Sequence, residues 1–123
     1  MSRIKSTDTA PELIVRSALH RLGYRFRIHR TDLPGKPDIV LPRYRVAIFV
    51  HGCFWHRHTA CRLAYVPTTR SEYWQAKFRA NEARDKKVRR LLKALGWRYV
   101  TIWECQAAAA ATLDATIAKA LRP

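Results

Sequence analysis

Apolar and polar positions recur with two different periods along the chain, and each change of period marks an element. Val15, Ala18, Leu19 and Leu22 fall at i, i+3, i+4 and i+7, the spacing of one helical face. Thr9 and Glu12 form a T-x-x-E capping box ahead of that face, and Gly23 follows it as the expected C′ residue. Tyr24-Arg25-Phe26-Arg27-Ile28 alternates with period two, which predicts a strand. Leu33 to Pro37 reads as a turn, Asp38–Leu41 as a short buried strand and Pro42–Tyr44 as a second turn. Val46–Val50 is apolar throughout, the pattern of a central strand covered on both faces.

His51 to Thr69 has no period and is rich in His, Cys and aromatic residues. A long helix is predicted from about Ser71 to Leu95, with Thr69 and Glu72 as a second capping box and Gly96 closing it. Its inward stripe runs 74, 78, 81, 85, 88, 92, 95, and two polar residues, Asn81 and Asp85, stand on it. Tyr99–Trp103 reads as the last strand, and Gln106–Leu121 as a terminal helix with Leu113, Ile117 and Leu121 as its apolar face. The order α-β-β-β-α-β-α predicts an α/β fold with a mixed sheet flanked by helices, one domain over residues 1–123.

Charge changes the picture next. The 123 residues carry 24 Lys+Arg against 9 Asp+Glu, a formal net charge of +15. Hydrophobic residues make up 48 %, too many for a disordered basic tail. The apolar runs are too short for a transmembrane helix, and the N-terminus has no apolar h-region, so a cytoplasmic location is expected. A folded basic domain of this kind is expected to meet a polyanion, nucleic acid first. The odd cysteine count, three, argues against a disulfide framework.

Cys53-Phe54-Trp55-His56-Arg57-His58-Thr59-Ala60-Cys61 packs two Cys and two His into one loop, and Cys105 follows the last strand. Cys53, His58, Cys61 and Cys105 make a Cys₃His set suited to tetrahedral zinc, with His56 competing for the His position. Against the basic background each acid is informative. Asp38 precedes an apolar strand, where a carboxylate closes an Asx-turn or holds Mg²⁺. Glu12 belongs to its capping box, and Asp85 either pairs with Arg89 at i+4 or points inward. His51 and His56 are candidate proton carriers. Phe54, Trp55 and Trp74 are core plugs or stacking wedges for bases.

These residues carry a family likeness. Pro34-Gly35-Lys36-Pro37-Asp38, Phe49-Val50-His51-Gly52-Cys53-Phe54-Trp55-His56, Thr69-Arg70-Ser71-Glu72-Tyr73-Trp74, Glu82-Ala83-Arg84-Asp85, Gly96-Trp97-Arg98 and Trp103-Glu104-Cys105 together resemble the very-short-patch-repair (Vsr-type) DNA mismatch endonucleases. The resemblance spans about Asp8 to Cys105. It implies a PD-(D/E)xK restriction-endonuclease-like fold with a structural zinc site. It also implies an Mg²⁺-dependent nick beside the T of a T·G mismatch left by deamination of 5-methylcytosine. By the same resemblance Asp38 and the Val50 backbone carbonyl hold Mg²⁺ and His56 is the general acid/base. Glu12, His51 and Asp85 support the metal waters and proton transfer. The zinc ligands map to Cys53, His58, Cys61 and Cys105, which frees His56. Phe54, Trp55 and Trp74 match aromatics that intercalate beside the mismatch, and Lys36, Arg57 and Arg70 are the expected basic contacts to DNA. The expected partner is double-stranded DNA with a T·G mismatch, met by a monomer functionally linked to a cytosine-5 methyltransferase.

The sequence departs from the pattern in three places. Ile48–Val50 offer no acid or Lys on the second core strand, a lack the family shares and generic PD-(D/E)xK nucleases do not. Thr59-Ala60 lengthens the His58-to-Cys61 spacing by one residue, and Arg57 interrupts a His-rich stretch. The family has an N-terminal arm that wedges into DNA, and two readings are open here: Met1 and Ile4 are its remnant, or the arm is missing. Two rival readings follow from the residues: a non-catalytic, zinc-stapled DNA-binding protein, and a nuclease of the same fold with another DNA substrate.

Overall fold

The computed structural model describes residues 8–122, so Met1 and Ile4 lie outside the described residues. The elements are α1 (Ala10–Arg21), β1 (Ile39–Leu41), β2 (Val46–His51), α2 (Ser71–Ala94), β3 (Arg98–Trp103), α3 (Glu104–Ala108) and α4 (Ala110–Ala120), with a 3₁₀ turn at Pro42–Tyr44. The strands form one mixed sheet in the order β1-β2-β3. β2 runs antiparallel to β1 and parallel to β3, with Ile39 opposite Ile48 and Ile48 opposite Val100. β2 is thus the central strand that its unbroken apolar run predicts.

The alternation of side chains divides the core between the two faces. Ile39, Leu41, Val46, Ile48, Val100 and Ile102 pack with Val15, Ala18 and Leu19 of α1, Ala107 of α3, and Leu113 and Ile117 of α4. Val40, Ala47 and Phe49 face the other way, onto Leu92 and Val88 of α2. Every α2 residue outside the predicted stripe is exposed, and Trp74, Phe78, Asn81, Asp85, Val88 and Leu92 are not. α2 lies close to the turn before β1: at Gly35, with φ +76°, a Cβ would sit 2.5 Å from the Val88 side chain, so glycine is required there.

Several expectations need correction. Tyr24–Ile28 is not a strand; it makes a single bridge, with Arg27 and Val40 exchanging N–H···O bonds of 2.8 and 2.9 Å. β1 is only three residues long, and Ile39 and Leu41 direct their backbone groups to β2. Val40 alone offers a pair to the outer edge. The alternation is nonetheless real, since Tyr24, Phe26 and Ile28 pack on the core. The first capping box is half formed: Thr9 Oγ1 accepts from the Glu12 N–H, but Glu12 Oε2 accepts from the Asp8 N–H instead. The second is absent, because Arg70 is the N-cap, in a left-handed conformation with no side-chain capping bond. Leu22 and Leu95 are exposed cap residues rather than members of the buried faces.

The predicted terminal helix breaks at Ala109 into α3 and α4. Ala107 and Leu113 are six residues apart, about 240° round a continuous helix, so one straight helix could not turn both to the same core. The break lets both be buried.

Candidate active site and metal centre

The site forms where β2 ends. The pairing of Ile39 with Ile48 carries Asp38 to the end of β2, where Asp38 Oδ2 accepts the Val50 N–H at 2.7 Å. This bond between chain segments, rather than an Asx-turn, is what engages the carboxylate. Burial, with the Glu12 carboxylate beside it, pushes Asp38 up to about 7, against the opposing pull of the Val50 N–H and Arg16. Arg16 lies 3.4 Å from Glu12 Oε2. Two carboxyls crowded at a half-buried point favour a cation.

On the α2 side of the same strand end, His51 and His56 stack face to face, with ring centroids 3.8 Å apart and planes 4° apart. Asp85 does not pair with Arg89; it turns inward, as its stripe position predicts, and its Oδ2 lies 2.7 Å from His56 Nδ1. Burial raises the Asp85 carboxyl, but the His56 bond and the charges of His56, His51 and Arg84 hold it below the usual carboxylate range. With Nδ1 engaged, Nε2 is the nitrogen His56 has left for a substrate or water. Burial and the neighbouring His56 push His51 down to about 4, so His51 is a neutral imidazole near pH 7. Its Nε2 lies 3.3 Å from the Tyr99 hydroxyl. A cleft of about 390 Å³ opens over His51, His56, Asp85, Lys86, Arg89 and Thr101.

The Cys₃His set assembles next to it. The ligating atoms of Cys53, His58, Cys61 and Cys105 all lie within 4.8 Å of one another, so the set could hold a metal ion. His58 Nδ1 is 3.6 Å from Cys53 Sγ and 3.4 Å from Cys105 Sγ. Zinc bonds of about 2.3 Å to sulfur and 2.0 Å to nitrogen give a tetrahedral S···N edge of about 3.5 Å, so the donors fit. Burial, with the adjacent Cys105 and Cys61 thiols, pushes Cys53 up to about 12, whereas the Leu63 backbone bond holds Cys61 below its ordinary value. A bound cation would replace the thiol protons. His56 stays outside this set.

The Trp103-Glu104-Cys105 string joins the two assemblies, and two of its three members escaped the sequence reading as functional residues. Trp103 stacks on His58 at 4.1 Å and meets His51 edge-on at 5.4 Å. Glu104 Oε1 accepts the Cys53 N–H at 3.2 Å, and Cys105 is a member of the quartet. Asn81, the other polar residue of the α2 stripe, donates to the Trp55 carbonyl at 3.3 Å. A polar residue on an otherwise apolar stripe was therefore the usable signal for both Asn81 and Asp85.

Phe54 is the hub of an aromatic cluster, with its ring 5.0–5.4 Å from those of Trp55, Tyr65, Trp74 and Phe78. Phe54, Trp55 and Trp74 are each half-buried in it. Arg57 donates to the carbonyls of Phe54, Ala64 and Tyr65 at 3.2, 2.8 and 3.0 Å, and its guanidinium lies 4.1 Å from the Phe78 ring centroid. Lys36 and Arg70 are exposed, with Arg70 4.5 Å over Tyr73. A hollow of about 590 Å³ at the opposite end of the sheet holds Arg45 and Arg98. They bond to the carbonyls of Leu95, Leu121 and Arg122, at the C-terminal ends of α2 and α4.

The family model of the DNA mismatch endonuclease Vsr matches residues 1–62. The chain is 48 % identical over 123 residues to the type II nicking enzyme V.XorIIP of Xanthomonas oryzae pv. oryzae, covering 100 % of this chain and 90 % of that protein. It is 46 % identical over 105 residues to the DNA mismatch endonuclease Vsr of Escherichia coli, covering 85 % and 67 %. It is 38 % identical over 106 residues to the type II nicking enzyme V.NmeAIP of Neisseria meningitidis, covering 86 % and 75 %. These matches set aside the non-catalytic reading: the chain belongs to the Vsr family of DNA mismatch endonucleases and is a DNA endonuclease.

Proposed function

We propose that this protein nicks one strand of double-stranded DNA at a T·G mismatch, using Mg²⁺ for chemistry and Zn²⁺ for structure, on a PD-(D/E)xK-like scaffold. The observation that carries the reading is the convergence at the end of β2 of the Asp38–Glu12 carboxyl pair and the His51–His56–Asp85 array. A divalent cation held by Asp38 and the Val50 carbonyl would supply charge neutralisation at the phosphate and a more acidic bound water.

The chain's own residues do the rest. The Val50 N–H fixes the Asp38 carboxylate, and Glu12 would add a second acceptor for the water such a cation would hold. Asp85 fixes the orientation of His56 so that Nε2 moves the proton, the arrangement by which a carboxylate orients a catalytic imidazole. His51, neutral and stacked on His56, keeps a second ring nitrogen beside that site. Cys53, His58, Cys61 and Cys105 hold the loop that carries His56. Lys36, Arg70 and the wider excess of positive charge contact the phosphates and set register without reading sequence, while Arg57, expected as a third contact, ties the loop together through the carbonyls of Phe54, Ala64 and Tyr65. Phe54, Trp55 and Trp74 enter the duplex at the weak pair, where unstacking costs least. The protein works as a cytoplasmic monomer, functionally linked to a cytosine-5 methyltransferase. Among the described residues no helix is long and apolar enough to cross a membrane.

The test is a nicking assay on matched duplexes containing T·G, G·C or a branch, with Mg²⁺ or EDTA. The expected result is single-strand cleavage of the T·G duplex in Mg²⁺ only. Equal cleavage of the G·C duplex would overturn the mismatch assignment and favour a nuclease of the same fold with another DNA substrate.

A further inference from the structure

We propose that Tyr65 is the outermost stacking platform of the aromatic cluster and takes an unstacked nucleobase. The three aromatics expected as wedges are half-buried against one another, whereas Tyr65 is 63 % exposed and still touches the hub, its ring 5.0 Å from Phe54 and tilted by 39°. It is the most exposed ring of the cluster; Tyr73, packed on Trp74 at 5.2 Å, is 43 % exposed. Val66, beside it, is 62 % exposed, and Leu63 is exposed as well. An apolar loop tip of this kind marks a contact surface rather than a core element.

The tip is held in place before any partner arrives. Arg57, itself with φ +53°, bonds to the carbonyls of Ala64 and Tyr65 and to that of Phe54, tying the tip to the wedge loop. The Arg57 guanidinium in turn rests on Phe78. A platform ordered in the free protein loses little conformational freedom on binding. The occupant is a base and not a protein side chain for two reasons. The tip is continuous with the proposed DNA wedge, and Arg62 and Arg70, three and five residues away along the chain, are exposed in a chain of net charge +15. Every base has a π-face, so an exposed ring accepts it without a sequence preference. The inference rests on the wedge reading under Proposed function and adds a fourth ring to it. Neither periodicity nor a motif singled out Tyr65, because its loop has no period.

The test uses the full chain with its metals bound and DNA carrying the fluorescent base 2-aminopurine. The DNA is presented beside a T·G pair, in a fully paired duplex and in a single strand. Tyr65→Ala is expected to weaken binding to the T·G duplex and the single strand about ten-fold, within the range for losing one base–aromatic stack. It is also expected to relieve the quenching of 2-aminopurine. Tyr65→Leu, which keeps the bulk and loses the ring, should behave like Tyr65→Ala, and Tyr65→Phe like the wild type. Circular dichroism and zinc content check that each variant is folded. Wild-type affinity and quenching in both Tyr65→Ala and Tyr65→Leu would overturn the proposal. A wild type that leaves T·G duplexes uncut would count against the substrate assignment alone, because the single-strand arm reads Tyr65 independently of nicking.

Discussion

The two faces of the sheet share strand β2 and do different work. One face closes on α1, α3 and α4 through Ile48, Ile102, Val15, Leu19 and Ile117, an apolar layer. The other begins in the same way, with Ala47 and Phe49 against Leu92, and then changes character. His51 is the next residue of that parity, and α2 answers it with Asp85 and Asn81 in place of apolar neighbours. On the α2 face the strand passes from packing to the imidazole array at His51, whereas on the α1 face, among the described residues, the apolar layer is interrupted only by the buried Glu12 beside Asp38. A one-residue slip would exchange the two sets.

With zinc in the Cys₃His set, as proposed, its removal by a strong chelator, or Cys105→Ser, should cost stability on the scale of zinc binding, about 10 kcal/mol, comparable to the whole stability of a small domain. Thermal unfolding followed by circular dichroism should show the transition lowered by tens of degrees or abolished. Ile48→Ala, on the closed face, should cost about 2–5 kcal/mol in urea unfolding while leaving nicking per folded molecule unchanged.

Asp38→Asn should do the reverse. The Asp38 carboxyl is held near 7, above about 3.9 for an unfolded Asp. The native state therefore binds the extra proton, and metal-free protein loses stability as pH rises through that window. Asp38→Asn should flatten that loss and make the metal-free protein more stable than wild type at pH 8, by about 1–3 kcal/mol. The depressed His51, near 4, acts in the opposite direction, with stability lost as pH falls from about 6.5 toward 4. Asn81→Ala, which frees the Trp55 carbonyl, should cost about 1 kcal/mol or less in unfolding yet slow nicking several-fold.

Much of this layout was legible in the sequence, and the reasons are local. The α2 stripe was read from Trp74 to Leu92 because helical period and burial coincide there; Leu95 fell outside it, and of its two polar members Asp85 was read as a site residue while Asn81 was read only as facing inward. The Cys₃His set was read from local density of soft ligands, with the choice between His56 and His58 left to the resemblance and the fold. The Tyr24–Ile28 strand was over-read because period two reports which side chains are buried. It does not report whether a neighbouring strand has backbone groups to offer. The break at Ala109 was missed because an alanine run favours helix everywhere, and only the shared core of Ala107 and Leu113 demands a bend. Arg57 reads from sequence as a phosphate contact, but three of its bonds go to loop carbonyls, a role no spacing encodes.

The central claim, that the carboxyl pair and the imidazole array serve one phosphate, is tested most directly by single-turnover nicking of one T·G duplex in Mg²⁺. Wild type, Asp38→Asn and His56→Ala are compared on the same DNA, with binding measured alongside. The account predicts no detectable nicking by Asp38→Asn, nicking slowed about 10²–10⁴-fold in His56→Ala, and DNA binding retained in both. Nicking by Asp38→Asn at the wild-type rate would contradict it.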